Sequence, residues 1–279
     1  MSLTEAVFVV VAALVLLALS RWVLQWLLGQ TLRDMLTAHD NPAVGLVVAG
    51  YFFAVLWTIM ALLGSPSQGF WRDVVGVLLY GCLGIVLLTA VALVSSRYFL
   101  GLQVREQLET HNIAAAVVVA GVYVATSLTY SGALTGEGGG FWVLLLFFVL
   151  GQLALLGITY VFRWLTDYDD VHEIASGNIA AGLALAGLLI AVGVVVAHAA
   201  SGTYTGLGSS LVGFLIALLV VVVFYPVRQV VVQSLILGAP VHWRGTLLDS
   251  EIAQDKNVAA GLLEAVAYLT TALFLNYLL

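Results

Sequence analysis

The chain has 279 residues, 62% hydrophobic and 9% charged, with a formal net charge of −6 and a mean hydropathy of +1.11. A soluble domain carries about 25% charged residues, so an aqueous fold has too little polar surface to cover this sequence. No basic tract points to nucleic acid, and the single cysteine, Cys82, rules out an intrachain disulfide framework and reads as a small buried hydrophobe.

Apolar runs fall at 4–27, 42–63, 73–96, 112–133, 141–163, 178–200, 208–232 and 257–279. Each has about the length that one bilayer crossing needs. The first run carries Glu5 where a secretory signal carries Lys or Arg, so it reads as a retained span. The odd runs end at Arg21, Arg97, Arg163 and Arg228, the first three followed by Trp22, Tyr98 and Trp164. Such residues at a span's end are interface anchors, the Arg stem lying along apolar surface while its head reaches the headgroups.

The even runs open on a repeated phrase: Asn41-Pro-Ala-Val-Gly45, Asn112-Ile-Ala-Ala-Ala116, Asn178-Ile-Ala-Ala-Gly182 and Asn257-Val-Ala-Ala-Gly261. An Asn side-chain oxygen accepts an orphan backbone N–H of a first helical turn, which makes Asn a favoured N-cap. Pro42 directly after Asn41 suits the first helical position. The unit is therefore a helix, an Arg end, a polar linker, an Asn cap and a second helix, repeated in tandem. The expected fold is all-α and polytopic: eight transmembrane helices as four same-orientation hairpins, at 1–64, 65–134, 135–201 and 202–279, forming one membrane domain.

The linkers after odd helices hold Arg21, Arg33, Arg97, Arg105, Arg163, Arg228, Arg244 and Lys256, whereas the opposite side holds only Arg72. The positive-inside rule places these linkers in the cytoplasm and both termini outside. Counting each Asn as position one, positions five and nine are always small: Gly45/Ala49, Ala116/Ala120, Gly182/Ala186 and Gly261/Ala265. This spacing lets helix backbones approach closely in lipid, so the even helices are expected inside and the odd ones toward lipid. A pore lined by small residues is the other reading.

The phrases His111-Asn112-Ile-Ala-Ala-Ala116 with Ala120-Gly121, and Asn178-Ile-Ala-Ala-Gly182 with Ala186-Gly187, together with Arg97 and Arg163, resemble the YjfL family of bacterial inner-membrane proteins, domain-of-unknown-function family 350. The resemblance spans nearly the whole chain and is best in copies two and three. Copy one departs from the pattern at Pro42 and Val44, and copy four at Glu264 and Val266. It implies residence in the bacterial inner membrane and, by analogy, a link to envelope stress and peripheral membrane partners. It implies no settled activity.

Glu264 is the sharpest candidate for chemistry. It replaces Val48, Val119 and Leu185 at position eight of the capped helix, about 10 Å inside the membrane at 1.5 Å per residue. A carboxylate there should face the bundle. One reading is a proton or cation site. The other is a protonated Glu hydrogen-bonded to a neighbouring helix, with Thr89, Gln152 and Thr159 as partners at similar depth.

Asp167, Asp169, Asp170, His172 and Glu173 are dense enough to suggest a cation site, but lack calcium-loop spacing and read as a solvated charged face. His39 and His111 precede caps and read as surface residues. His198 lies too far from Glu264 to pair, and Tyr123 and Tyr268 read as packing. No metal, cofactor or catalytic constellation is expected.

Three functions follow from these residues. The first is a non-enzymatic scaffold or partner-binding subunit acting through its charged cytoplasmic linkers, with the bilayer, a cytoplasmic or peripheral protein, and a homo- or hetero-oligomer as partners. The second is a transporter or ion pathway using Glu264. A membrane enzyme comes third, because no catalytic arrangement is present.

Overall fold

The computed structural model describes residues 3–38, 40–64, 69–99, 101 and 103–278, with side chains from Val7 onward except at 98 and 99. His39 and the side chains of Glu5 and Tyr98 lie outside the described residues. Among those described, all regular structure is helical. Eight segments are long and apolar enough to cross a membrane: Val7–Leu28, Pro42–Leu63, Phe70–Arg97, Ile113–Thr135, Gly140–Leu165, Ile179–Ala200, Leu207–Ile236 and Val258–Leu278. The chain is a multi-pass membrane protein.

In chain order the helices are α1 (Leu3–Leu28), α2 (Leu32–Thr37), α3 (Pro42–Leu63), α4 (Phe70–Val94), α5 (Val104–Glu109), α6 (Ile113–Thr135), α7 (Gly140–Leu165), α8 (Asp170–Ala175), α9 (Ile179–Ala200), α10 (Leu207–Leu218), α11 (Phe224–Val227), α12 (Leu247–Ala253) and α13 (Val258–Leu278). The short helices α2, α5, α8 and α12 sit in the linkers, each just before an Asn-led span.

The core is a row of the four Asn-led helices, packed in the order α3, α6, α9, α13. The sequence supplies the reason in glycine and alanine. A Cβ at Gly50 of α3 would lie 2.6 Å from the Cβ of Ala120 in α6, and one at Gly121 of α6 would lie 2.9 Å from that of Ala186 in α9. Gly187 of α9 meets Ala265 of α13 in the same way. Position ten of one copy thus meets position nine of the next, three times over, so the four helices run parallel and nearly in register. Lipid offers no hydrophobic drive between helices, so backbone-to-backbone contact of this kind supplies the attraction.

Burial follows the row. The most apolar stretches of α6 and α9 are 72% and 78% buried, against 22%, 33% and 17% for the first, fifth and seventh spans. At the ends, α3 and α13 reach only 39% and 44%, and α3 is no more buried than its odd neighbour α4. Each end helix has one face with no further Asn-led helix against it. Val266 of α13, at the position that Gly occupies in the other three copies, is 44% exposed on that face. Cys82 is exposed on α4, which corrects its reading as buried.

The turn into every Asn-led helix is the same. The preceding residue is left-handed: Asp40 at φ 44°, His111 at 58°, Gly177 at 86° and Lys256 at 51°. The Asn N–H then donates back to the short helix, to the carbonyls of Met35, Gln107, Glu173 and Glu251 respectively. A left-handed residue closing a helix in this manner satisfies carbonyls that would otherwise be orphaned.

The seventh span is not a uniform α-helix. After α10 it tightens to a 3₁₀ segment at Leu219–Val223, passes through α11, and widens to a π-helix at Arg228–Ile236. Pro226 lies within α11 and lacks an N–H, and its ring crowds the carbonyl four residues back, so regular winding fails just before it. The span runs on to Ile236, four residues beyond the apolar run read from the sequence, so Pro226 and Arg228 stand about ten residues short of its end.

Candidate functional site

Widened π turns often coincide with functional sites, and this one begins at Arg228. Arg228 is 1% exposed. Its Nε donates to Glu264 Oε1 at 2.7 Å and its Nη2 to Asp249 Oδ1 at 2.6 Å. The reading of Arg228 as an interface anchor is therefore corrected: the side chain turns into the protein and joins the seventh span to α12 and α13. Arg97 is exposed at the end of its span, whereas Arg21 is exposed within the first span, which runs on to Leu28; Trp22 and Trp164 are exposed beside Arg21 and Arg163.

Glu264 is 2% exposed and faces the protein interior. Besides Arg228, it accepts from the hydroxyl of Tyr268, one turn along α13, at 3.0 Å. These contacts replace Thr89, Gln152 and Thr159, the partners suggested by depth. They also correct Tyr268 from a packing residue to a donor. The other tyrosine at position twelve, Tyr123, packs its ring 4.9 Å from Tyr51.

Asp249 is fixed by its own short helix. Thr246 and Asp249 form a capping box, in which Thr246 Oγ1 accepts from the Asp249 N–H and Asp249 Oδ2 accepts from the Thr246 N–H at 2.9 Å. One carboxylate oxygen caps α12 and the other holds Arg228.

A second ion pair lies beside the first. Arg163 Nε donates to Asp170 Oδ2 at 3.3 Å, and Asp170 is 4% exposed at the first position of α8. Asp170 therefore does not belong to a solvated charged face, as the acidic run suggests. Its neighbours in that run have separate roles: Asp169 caps α8, and Glu173 accepts from Asn178. Burial pushes the Asp170 carboxyl up to about 7, with Arg163 pulling it down and Glu264 pushing it further up. Burial, and next the negative Glu264, also hold the Tyr168 hydroxyl well above its usual range. Asp170, Glu264, Arg163, Tyr168, Thr166 and Tyr268 all border one cavity of about 20 Å³.

The four Asn residues do more than cap. Their Oδ1 atoms accept from Ala43 and Val44, from Ala115, from Ala180 and Ala181, and from Ala259 and Ala260 respectively. In the first three, Nδ2 also donates to the short helix of the next copy: Asn41 to the Leu108 carbonyl at 2.7 Å, Asn112 to Ile174 at 2.8 Å and Asn178 to Ile252 at 2.8 Å. Asn257 ends the row, is exposed, and donates to Glu251 of its own copy. Sequence reasoning identifies the cap and misses the clamp, because the acceptor is a backbone carbonyl more than 60 residues away.

The family described as Domain of Unknown Function (DUF350) matches the chain twice, over residues 1–134 and 138–279. The two matches meet between the second and third hairpins of the sequence reading, so one family unit holds two Asn-led helices. No curated protein and no solved structure matches the chain. The chain belongs to the DUF350 family, as a tandem of two units.

Proposed function

We propose that this member of the family is a non-enzymatic scaffold of the bacterial inner membrane, which binds a cytoplasmic or peripheral membrane partner through the face that carries the linkers. The observation behind this reading is the Asn clamp. Three Asn side chains tie the short helix of one copy to the spanning helix of the copy before it. The linkers thereby become a preorganised surface, and a rigid surface loses less entropy on binding than free loops do. The surface carries mixed charge, with Arg33, Asp34, Arg105, Glu106, Asp255 and Lys256 exposed. Close packing of glycine against alanine along the row supports a structural role for the spans.

Photo-crosslinking residues at Arg33, Arg105 and Asp255, in living cells, are expected to trap a protein partner, while one at the apolar, exposed Leu79 traps none. Charge reversal at the same sites should remove the crosslink. If only lipid is trapped at all four sites, the scaffold reading fails. Sidedness has its own test. A cysteine at Gly138 should react with an impermeant reagent in whole cells and one at Ser250 should not.

A second reading, an ion or proton pathway through Glu264, draws on the broken winding of the seventh span around Arg228, since transporters build their sites from discontinuous helices. Proton flux into liposomes carrying the purified protein, abolished by Glu264→Gln, would favour it over the scaffold.

A further inference from the structure

The buried charges of the C-terminal unit do not balance. Arg163 and Arg228 supply two positive groups, and Asp170, Asp249 and Glu264 supply three negative ones. All five side chains are at most 17% exposed. A net charge in so dry a place is costly, and such groups neutralise by taking up a proton. The place for that proton is defined by geometry. Glu264 is engaged by Arg228 through both oxygens, at 2.7 and 3.4 Å, and by Tyr268. Asp249 is engaged by Arg228 and by its capping box. Asp170 has the longer contact to Arg163, at 3.3 Å, and borders the cavity of about 20 Å³ that Glu264 borders from the other helix. That volume suffices for one water, which two to four polar groups must hold.

We propose that Asp170 is a proton-binding site, linked to Glu264 across this cavity, and that release of its proton to the adjoining aqueous phase loosens α8 from the linker face. The mechanism follows from what seats α8. Ile174 is fully buried, its carbonyl is held by Asn112, and Asp170 lies against Arg163. With Asp170 protonated, the two Arg and the remaining two carboxylates cancel. Ionised, Asp170 faces Glu264 from α13 and Asp169 beside it, against Arg163 from α7, with the side chains of Tyr168 and Tyr268 on the same cavity and with Arg228 and Asp249 behind Glu264 in its ion-pair cluster. Water then competes for the carboxylate, and α8 moves outward to meet it. The proposal deepens the scaffold reading by giving its docking surface a pH control, but the site stands whether or not a partner exists.

The test uses the purified full-length protein in lipid nanodiscs and measures amide hydrogen exchange, corrected for intrinsic chemical exchange, at pH 6 and pH 8. Protection of the α8 amides is expected to fall about tenfold at pH 8, while α9 is unchanged; one pKa unit corresponds to a factor of ten. Asp170→Asn should keep α8 protected at both values. Infrared difference spectra supply a second measurement that does not depend on how well the variant folds: the wild-type protein should lose a protonated-carboxyl band between pH 6 and 8, and Glu264→Gln should shift the pH at which it is lost downward. Absence of the band at pH 6, α8 protection that ignores pH, or an undiminished response in a folded Asp170→Asn protein would overturn the proposal. Partner crosslinking is read separately, so loss of the scaffold reading leaves this result standing.

Discussion

Arg228 holds Glu264 at 2.7 Å across 36 residues of chain, in a place where neither side chain reaches solvent. Breaking a buried pair by removing one partner costs about 3–5 kcal/mol, because the other charge is left without compensation. Arg228→Met leaves two carboxylates, Glu264 and Asp249, and is expected to cost the full amount. Glu264→Gln leaves Arg228 with Asp249 and should cost less. Thermal unfolding in detergent compares them. Equal, small losses would show that the pair is not formed.

Asn178 and Asn257 separate capping from clamping. Both cap their helices, but only Asn178 also reaches the next copy, at the Ile252 carbonyl. Asn257→Ala should cost about 1 kcal/mol, the value of a cap. Asn178→Ala should cost about 1 kcal/mol more, the net worth of one further hydrogen bond. Asn178→Asp keeps the capping oxygen but turns both donor contacts, to Ile252 and to Glu173, into repulsions, so it should cost more than Asn178→Ala in the same denaturation measurement.

The glycine ladder predicts a position-dependent response to one methyl group. Gly121→Ala places a Cβ 2.9 Å from that of Ala186 and should destabilise by about 1–3 kcal/mol, as overpacking does. Gly157, in α7, has nothing within 4 Å of an added Cβ, and alanine there should be neutral or mildly stabilising. Matched melting curves decide it, and equal effects would count against the close approach of α6 and α9.

The left-handed turn predicts opposite signs at equivalent places. Gly177→Ala puts a Cβ at φ 86° and should cost about 1 kcal/mol, whereas Lys256→Gly relieves φ 51° and should gain a few tenths to about 1 kcal/mol. A loss at Lys256→Gly would mean that the lysine side chain contributes more than its backbone strain removes.

Asp170 predicts the direction of one contribution to pH dependence. Its carboxyl is raised from 3.8 to about 7 by burial. Below about pH 4 the folded and unfolded chains both hold this proton, and the contribution is fully present. Between about 4 and 7 the unfolded chain releases the proton and the folded chain keeps it, so stability falls as pH rises and levels off above 7. The wild-type melting temperature should drop across this window by more than that of Asp170→Asn, and identical profiles would exclude the shift.

Much of the fold is legible in the sequence because the lipid phase makes local pattern decisive. Every backbone group in a span must bond within its own helix, so eight apolar runs already mean eight helices. The Asn phrase, the small residues at positions five and nine, and the inward direction of Glu264 are likewise local matters of capping, size and the cost of a carboxylate in lipid. Arg228 escaped because it repeats the place of Arg21, Arg97 and Arg163, and an Arg at a span's end ordinarily reaches the headgroups. Two signals mark it as different: Gln229 follows it where the others have Trp or Tyr, and its linker to the next Asn is 29 residues rather than 20 or 15. The copy with the odd arginine is also the copy with the odd glutamate. Asp170 escaped for the opposite reason, since a run of acids looks solvated and gives no sign of which member turns inward.

The sequence by itself determined the helices, their order and the surfaces with which they meet, because each depends on residues within a few turns of one another. Only the tertiary structure decided which charges share a buried space. That depends on the seventh span widening after Pro226, on α12 presenting Asp249, and on α8 folding Asp170 under the linker face. Each of these joins segments tens of residues apart, and in a dry interior a displacement of a few ångströms separates a neutral pair from an uncompensated charge.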